Sequence, residues 1–129
     1  MDGRPWASPV WYARASPTEF LWASDPDARH SRNLAHRPEV AIVVFDSTVP
    51  IGGAEAVYME AEARELTGAE LKRAIAIYSR RSQEVGASEW TLADVSPSAR
   101  FRLYCATVSS AFVLGAGDRR IAVPLGELG

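Results

Sequence analysis

The sequence predicts a mainly β protein: an antiparallel sheet with two inserted helices, favouring a small closed or partly closed barrel. Three observations carry this. From Val57 to Arg64 the residues Val57, Met59, Ala61 and Ala63 alternate with Tyr58, Glu60, Glu62 and Arg64, the period of two of a strand with one wet face. Leu71, Ala74, Ile75 and Tyr78 fall instead on one stripe of a helix. No regular strand-helix-strand alternation, internal repeat or low-complexity tract runs through the chain, so a doubly wound fold is not indicated.

Taken in order, Asp2-Gly3 is a type I′ hairpin signal, and Trp6 to Tyr12 reads as the strand after it. Only Met1 precedes that turn, so a sheet edge there is unprotected or covered by another element. Ala15-Ser16-Pro17 makes a turn into a strand from Thr18 to Ala23. Asp25 before Pro26 pairs an N-cap residue with proline at the first helical position, and the helix runs to about His36, where Pro38 stops it. Val40 to Phe45 is apolar without alternation, as expected of a central strand covered on both faces. Pro50 and Gly52-Gly53 mark Thr48 to Ala54 as a flexible connection. After the Val57 strand, Thr67 and Glu70 form a capping box for a helix ending before Gly86. Phe101, Leu103 and Cys105 alternate with Arg100, Arg102 and Tyr104, and further strands cover Ala111 to Leu114 and Ile121 to Leu125 about a turn at Gly115 to Asp118.

The 129 residues are read as a single domain, 1–129, short enough that a partner subunit could be needed to finish a site. With 47% hydrophobic and 23% charged residues, neither disorder nor membrane residence is required. No apolar run reaches the roughly 20 residues of a bilayer span, and the N-terminus lacks a signal-peptide layout, which places the chain in the cytoplasm. The single cysteine, Cys105, excludes an internal disulfide and reads as a buried strand residue. A net charge of −2 gives no footprint for nucleic acid.

The chemistry-bearing residues concentrate between Ser24 and Phe45. Arg29, His30 and Arg32 stand in or near the first turns of a helix, where free backbone N–H groups and the dipole already favour an anion. The competing reading is a solvated helix face, with Asp25 and Asp27 acting only as cap and dipole partners. His30 and His36 are six apart and share no helical face, so no metal site is expected. Gly115-x-Gly117 lacks a third glycine and is a turn rather than a dinucleotide fingerprint. Ser8, Ser31 and Ser109-Ser110 have no nucleophile-elbow setting. Trp6, Trp11, Trp22 and Trp90 could stack on a planar ring if clustered, and otherwise belong to core or interface.

The order Asp2-Gly3-Arg4-Pro5-Trp6-Ala7-Ser8-Pro9-Val10-Trp11, then a strand, then Asp27 to Leu34, then Arg37-Pro38-Glu39-Val40-Ala41-Ile42, resembles the pyridoxamine 5′-phosphate oxidase-like, FMN-binding split-barrel proteins. The resemblance spans nearly the whole chain and is strongest from Asp2 to Phe45. It implies a split β-barrel in a homodimer, with FMN at each end of the subunit interface and a small-molecule substrate. It points to Ser8, Pro9, Val10 and Trp11 along the flavin, and to Ala23, Ser24, Arg29 and His30 at the phosphate, with Arg32 and Asn33 as secondary candidates. His30 stands where the family commonly has lysine, a cation less dependent on pH. Trp90 is the candidate to cover a partner's flavin, and Glu55-Ala56 falls where relatives often present a glutamine. Two departures follow. The family's usual N-terminal helix and first strand before the Asp-Gly turn are missing here. The basic, tryptophan-containing C-terminal segment of true oxidases is not matched by Ile121-Ala122-Val123-Pro124-Leu125, which argues against pyridoxamine phosphate as substrate. Within the same fold the alternatives are an F420-dependent reductase, with Arg14 and the helix cations on the anionic tail, and a non-catalytic flavin or haem carrier.

Overall fold

The protein is described here by a computed structural model covering residues 3–45 and 56–127. Strand β1 (Ala13–Ser16) is followed by β2 (Glu19–Ser24), helix α1 (Arg29–His36), β3 (Glu39–Phe45), β4 (Ala56–Glu65), helix α2 (Gly68–Glu84), β5 (Arg102–Leu114) and β6 (Arg120–Val123). All six strands join one antiparallel sheet in the order β1-β2-β5-β4-β3, with β6 also paired to β5. Among the described residues β1 and β3 end this path without meeting, so the split-barrel sheet is open. No helix among them is long and apolar enough to cross a membrane.

The sheet is organised around β5. Its first half pairs with β2 and its last residues with β6 along one edge, while β4 runs along the other. The strands expected at Phe101 to Cys105 and Ala111 to Leu114 are therefore one element, bent by a bulge at Ser109, where Glu60 and Ala61 face Ser110 and Val108. From Leu103 to Ala106 the strand is buried on both faces, Tyr104 included. On one face α2 lays Leu71, Ala74, Ile75 and Tyr78 against Ala13, Leu21, Leu103 and Cys105. On the other, Leu34 of α1 joins Phe20, Trp22, Met59, Ala61, Ala63, Tyr104 and Ala106. Period-two burial along β4 matches its sequence alternation.

Several expectations are corrected. Residues 6–12 are irregular rather than a strand, and pairing starts only at Ala13; Pro9 removes a backbone donor in the middle of the stretch that a ladder would need. The apolar run at Val40 to Phe45 is an edge strand, not a central one: β5 takes the centre, and Val43 and Phe45 are 50% and 60% exposed. Asp25 does not cap α1. Its Oδ1 accepts the N–H of Asp27 at 2.8 Å and its carbonyl that of Ala28 at 3.0 Å, which spends it on a turn and moves the N-cap to Ala28. Thr67 is the N-cap of α2, but no capping box forms, because Glu70 is drawn to Arg64 of β4. A reciprocal cap appears instead at Thr91 and Asp94, where Asp94 Oδ2 accepts the Thr91 N–H at 2.8 Å. The strand expected from Ile121 ends at Val123. Asp2, and the connection from Thr48 to Ala54, lie outside the described residues.

The two-sided burial of β5 makes Leu103, which has no exposed surface, a sensitive position. Leu103→Ala is expected to cost about 2–5 kcal/mol of unfolding free energy in urea titrations. Leu92→Ala at an exposed site should stay within about 0.5 kcal/mol.

Candidate functional site

The site begins where β2 runs out. Ser24 is its last residue, with its side chain on the α1 face, and the Asp25 turn then delivers the chain to α1. Ala28 holds the N-cap position at φ −62°, ψ 147° and has no side chain able to accept a hydrogen bond. The opening N–H groups of α1 thus keep no side-chain cap, and its first turn holds no carboxylate. Arg29, His30 and Arg32 occupy that end of the helix.

Two contacts shape the cluster. His30 Nε2 lies 2.9 Å from Ser24 Oγ, joining the helix to the buried end of β2. Burial pushes the His30 imidazole below its usual value, so the ring in the free protein is neutral near pH 7. The Arg29 guanidinium lies over the Trp6 indole, 4.2 Å from the ring centroid, which ties the irregular segment at residues 6–12 to α1. The product is a concentration of donors: backbone N–H groups, a serine hydroxyl, a stacked guanidinium and an imidazole. Such a set can hold a phosphate or carboxylate.

The structure gathers Ser24, Arg29 and His30, with Ala23 next to them in β2. Arg32 is exposed and Asn33 half-buried one turn on, the Asn33 carbonyl accepting the Arg37 N–H at 2.9 Å. Ser8, Pro9, Val10 and Trp11 are exposed in the irregular segment. Trp11 meets the edge of Tyr78 at 5.3 Å, and Trp90 meets Tyr78 at 5.4 Å. Trp90 therefore belongs to the α2 face, across the sheet from α1 within one protomer. Glu55 is outside the described residues, and Ala56 opens β4.

The four tryptophans form no single cluster. Trp22 stacks on Tyr104 at 5.9 Å in the α1-side core, Trp6 holds Arg29, and Trp11 and Trp90 flank Tyr78. Two residues were not placed at the phosphate end of the site from the sequence. Trp6 was named only among the tryptophans that could stack on a planar ring, and no period ties it to Arg29. Tyr78 was legible as a stripe residue, and its polar tip marked it as able to do more: its hydroxyl accepts the Ala23 N–H at 3.3 Å, beyond the point where β1 stops pairing with β2.

Other chemistry is weakly supplied. Among the described residues no three His, Cys, Asp or Glu side chains gather as a metal set. Cys105 is buried, and burial pushes its thiol up, which disfavours the nucleophilic thiolate. What the arrangement offers chemically is a set of hydrogen-bond donors suited to an anionic group.

No curated protein sequence matches the chain. Solved structures do resemble it. A haem-binding protein from Mycobacterium smegmatis superposes with a TM-score of 0.73 at 21% identity, covering 99% of this chain and 50% of its own. The present chain thus spans half the length of that protein. HutZ, the haem storage protein from Vibrio cholerae, gives 0.65 at 23% identity, covering 86% of this chain and 78% of its own. A Clostridium acetobutylicum protein related to general stress protein 26, of the pyridoxinephosphate oxidase family, gives 0.52 at 10% identity over 92% of this chain and 76% of its own. At these identities the superpositions establish the shared fold. The sequence model of pyridoxamine 5′-phosphate oxidase matches residues 1–114, nearly the whole length, and the chain belongs to that family.

Proposed function

We propose that this chain is an FMN-binding protein that anchors the flavin phosphate at the N-terminus of α1 and works as a homodimer with the cofactor at the subunit interface. The observation that carries the reading is the uncapped first turn of α1, bearing Arg29 and His30 beside Ser24 in a chain of this family. A phosphate fits that chemistry, because the groups converging there are donors and no carboxylate stands in the turn. Ser24 and the backbone N–H groups would hold its oxygens, Arg29 would neutralise its charge, and Arg32 and Asn33 would stand at the margin. Trp6 restrains Arg29, so part of the ordering cost of the guanidinium is met before binding.

Bound FMN would supply hydride or single-electron transfer, making the protein an oxidoreductase acting on a small molecule. The chain's own part is to anchor, orient and shield. One protomer offers an anchor without an enclosing wall for a planar ring, since Ser8 to Trp11 are exposed and Trp90 is on the other face. A second subunit would close the site, in keeping with the dimers common in this family. The buried lone cysteine fits a reducing, cytoplasmic setting.

A second reading is a non-catalytic haem carrier, supported by the similarity to haem-binding and haem-storage proteins. Haem propionates could use the same donors. Visible spectra after titration with FMN and, separately, with haemin distinguish the two: perturbed flavin bands with quenched flavin fluorescence for the first, a shifted Soret band for the second. Failure to bind FMN sinks the leading reading.

Two outcomes are expected for the anchor. Arg29→Ala combined with His30→Ala should weaken FMN binding by about 1.5–3 kcal/mol for each charge-assisted bond lost, measured by fluorescence titration; unchanged affinity returns both residues to a solvated face. Because burial lowers the His30 pKa while a bound anion favours the imidazolium, proton and FMN should bind together. The NMR titration midpoint of the His30 ring should therefore move upward in the complex. A midpoint indifferent to FMN would leave His30 as a structural partner of Ser24.

A further inference from the structure

Strand β1 stops pairing before β2 ends. Its register sets Ala13 opposite Leu21 and Arg14 opposite Phe20, so a ladder continued to Trp11 would bring that residue opposite Ala23, whose N–H the Trp11 carbonyl would accept. The chain leaves the ladder instead, residues 6–12 being irregular. Ala23 still finds an acceptor, because the Tyr78 hydroxyl of α2 takes its N–H at 3.3 Å. The Trp11 ring meets the same tyrosine edge-on, with 5.3 Å between centroids. A side chain from a helix thus fills the place of a missing strand.

Tyr78 is suited to that place. It is 4% exposed, and burial pushes its phenol up, so the hydroxyl stays neutral near pH 7. The next residue of α2 makes a bond of the same kind, Ser79 Oγ accepting the Trp90 N–H at 2.9 Å. Only the bond from Ala23 leads to the donor cluster. The residue after Ala23 is Ser24, whose Oγ lies 2.9 Å from His30 Nε2. Successive residues of a strand point to opposite faces, so a fixed Ala23 backbone fixes where the Ser24 hydroxyl emerges on the α1 face.

We infer that Tyr78 is a positioning residue of the cradle: its hydroxyl, standing in for the strand that β1 does not supply, sets the Ser24 hydroxyl and, through it, the His30 ring. Tyr78 acts on the backbone and touches no ligand. Tyr78→Phe removes the hydroxyl and keeps the ring that packs against Trp11 and Trp90, so it separates the hydrogen bond from the aromatic contacts. The inference rests on the FMN reading for the identity of the ligand, whereas the ordering of Ser24 and His30 by Tyr78 is measurable without any cofactor.

The test compares the parent chain with Tyr78→Phe and, as a control that loses the other α2 hydrogen bond, Ser79→Ala. In the cofactor-free parent the Ala23 amide, with no strand beside it, should exchange with solvent as slowly as the amides of β2 that pair with β5. In Tyr78→Phe that exchange should quicken at least about tenfold and the NMR resonances of the His30 ring should move, while Ser79→Ala leaves both as in the parent. With cofactor, the preference for FMN over riboflavin, which has the ring and lacks the phosphate, should fall about tenfold in Tyr78→Phe and hold in Ser79→Ala, measured by fluorescence titration. A fast Ala23 amide in the parent, a His30 ring indifferent to Tyr78→Phe, or an FMN preference that is unchanged or falls equally in the control would each overturn the inference. A parent chain that binds no FMN sinks the FMN reading and leaves the two cofactor-free measurements to decide the role of Tyr78.

Discussion

The constraint on which the rest depends is the double burial of β5. A strand hidden on both faces needs an apolar layer above and below it, and this short chain supplies them from two helices of unequal length. The 17-residue α2 covers one side with a continuous stripe. The eight-residue α1 covers the other mainly through Leu34, and half-buried Tyr12, Val40, Ile42, Val123 and Leu125 complete that cluster. Placing β5 centrally also fixes the remaining order, because β2 and β6 share one of its edges and β4 takes the other. β3 is left outermost although its sequence is the most apolar of the strands, which is the origin of the exposed Val43 and Phe45.

What was legible in the sequence follows from how local each signal is. β4 and α2 were readable because their periodicity is set by one face of one element, and Leu71, Ala74, Ile75 and Tyr78 are buried together. The gathering of Arg29 and His30 at a helix start was readable because it needs only adjacent residues. The edge position of Val40 to Phe45 was not, since an apolar run reports burial without saying which strand supplies it, and β5 competed successfully for the centre. Nor was the continuity of β5, because Ser109-Ser110 interrupts the apolar pattern at a bulge and looks like a break. Trp6 against Arg29 joins an irregular segment to a helix, a contact that no period encodes. Family resemblance supplied what periodicity could not, the suspicion that Ser24 and His30 belong to one site. Their 2.9 Å contact supports that grouping without identifying its ligand.

The cradle departs from a simple cationic anchor in a physically consequential way. A lysine at the position of His30 would bring a permanent charge, whereas the partly buried imidazole is neutral near pH 7 and engages Ser24. Positive charge is carried instead by Arg29, held against an indole, and by exposed Arg32. An anion held there, as proposed, would rely on oriented donors more than on net charge, in keeping with a chain whose net charge is −2.

The two faces of the sheet are also mechanically joined at that cradle. Tyr78 of α2 accepts the N–H of Ala23, a group exposed because β1 ends its pairing earlier, and the next residue, Ser24, contacts His30 of α1. The end of β2 is thus clamped from one side by α2 and from the other by α1, through consecutive residues of one strand. A backbone N–H at the end of a paired region would otherwise be satisfied by water and free to fray. Tyr78 holds it while anchored among Trp11 and Trp90, so the position of Ser24 is set by the α2 layer as much as by its own helix. The cofactor anchor proposed here would gain from such a clamp, because a donor displaced by a fraction of an ångström loses alignment, and the sheet is the stiffest body available to hold it.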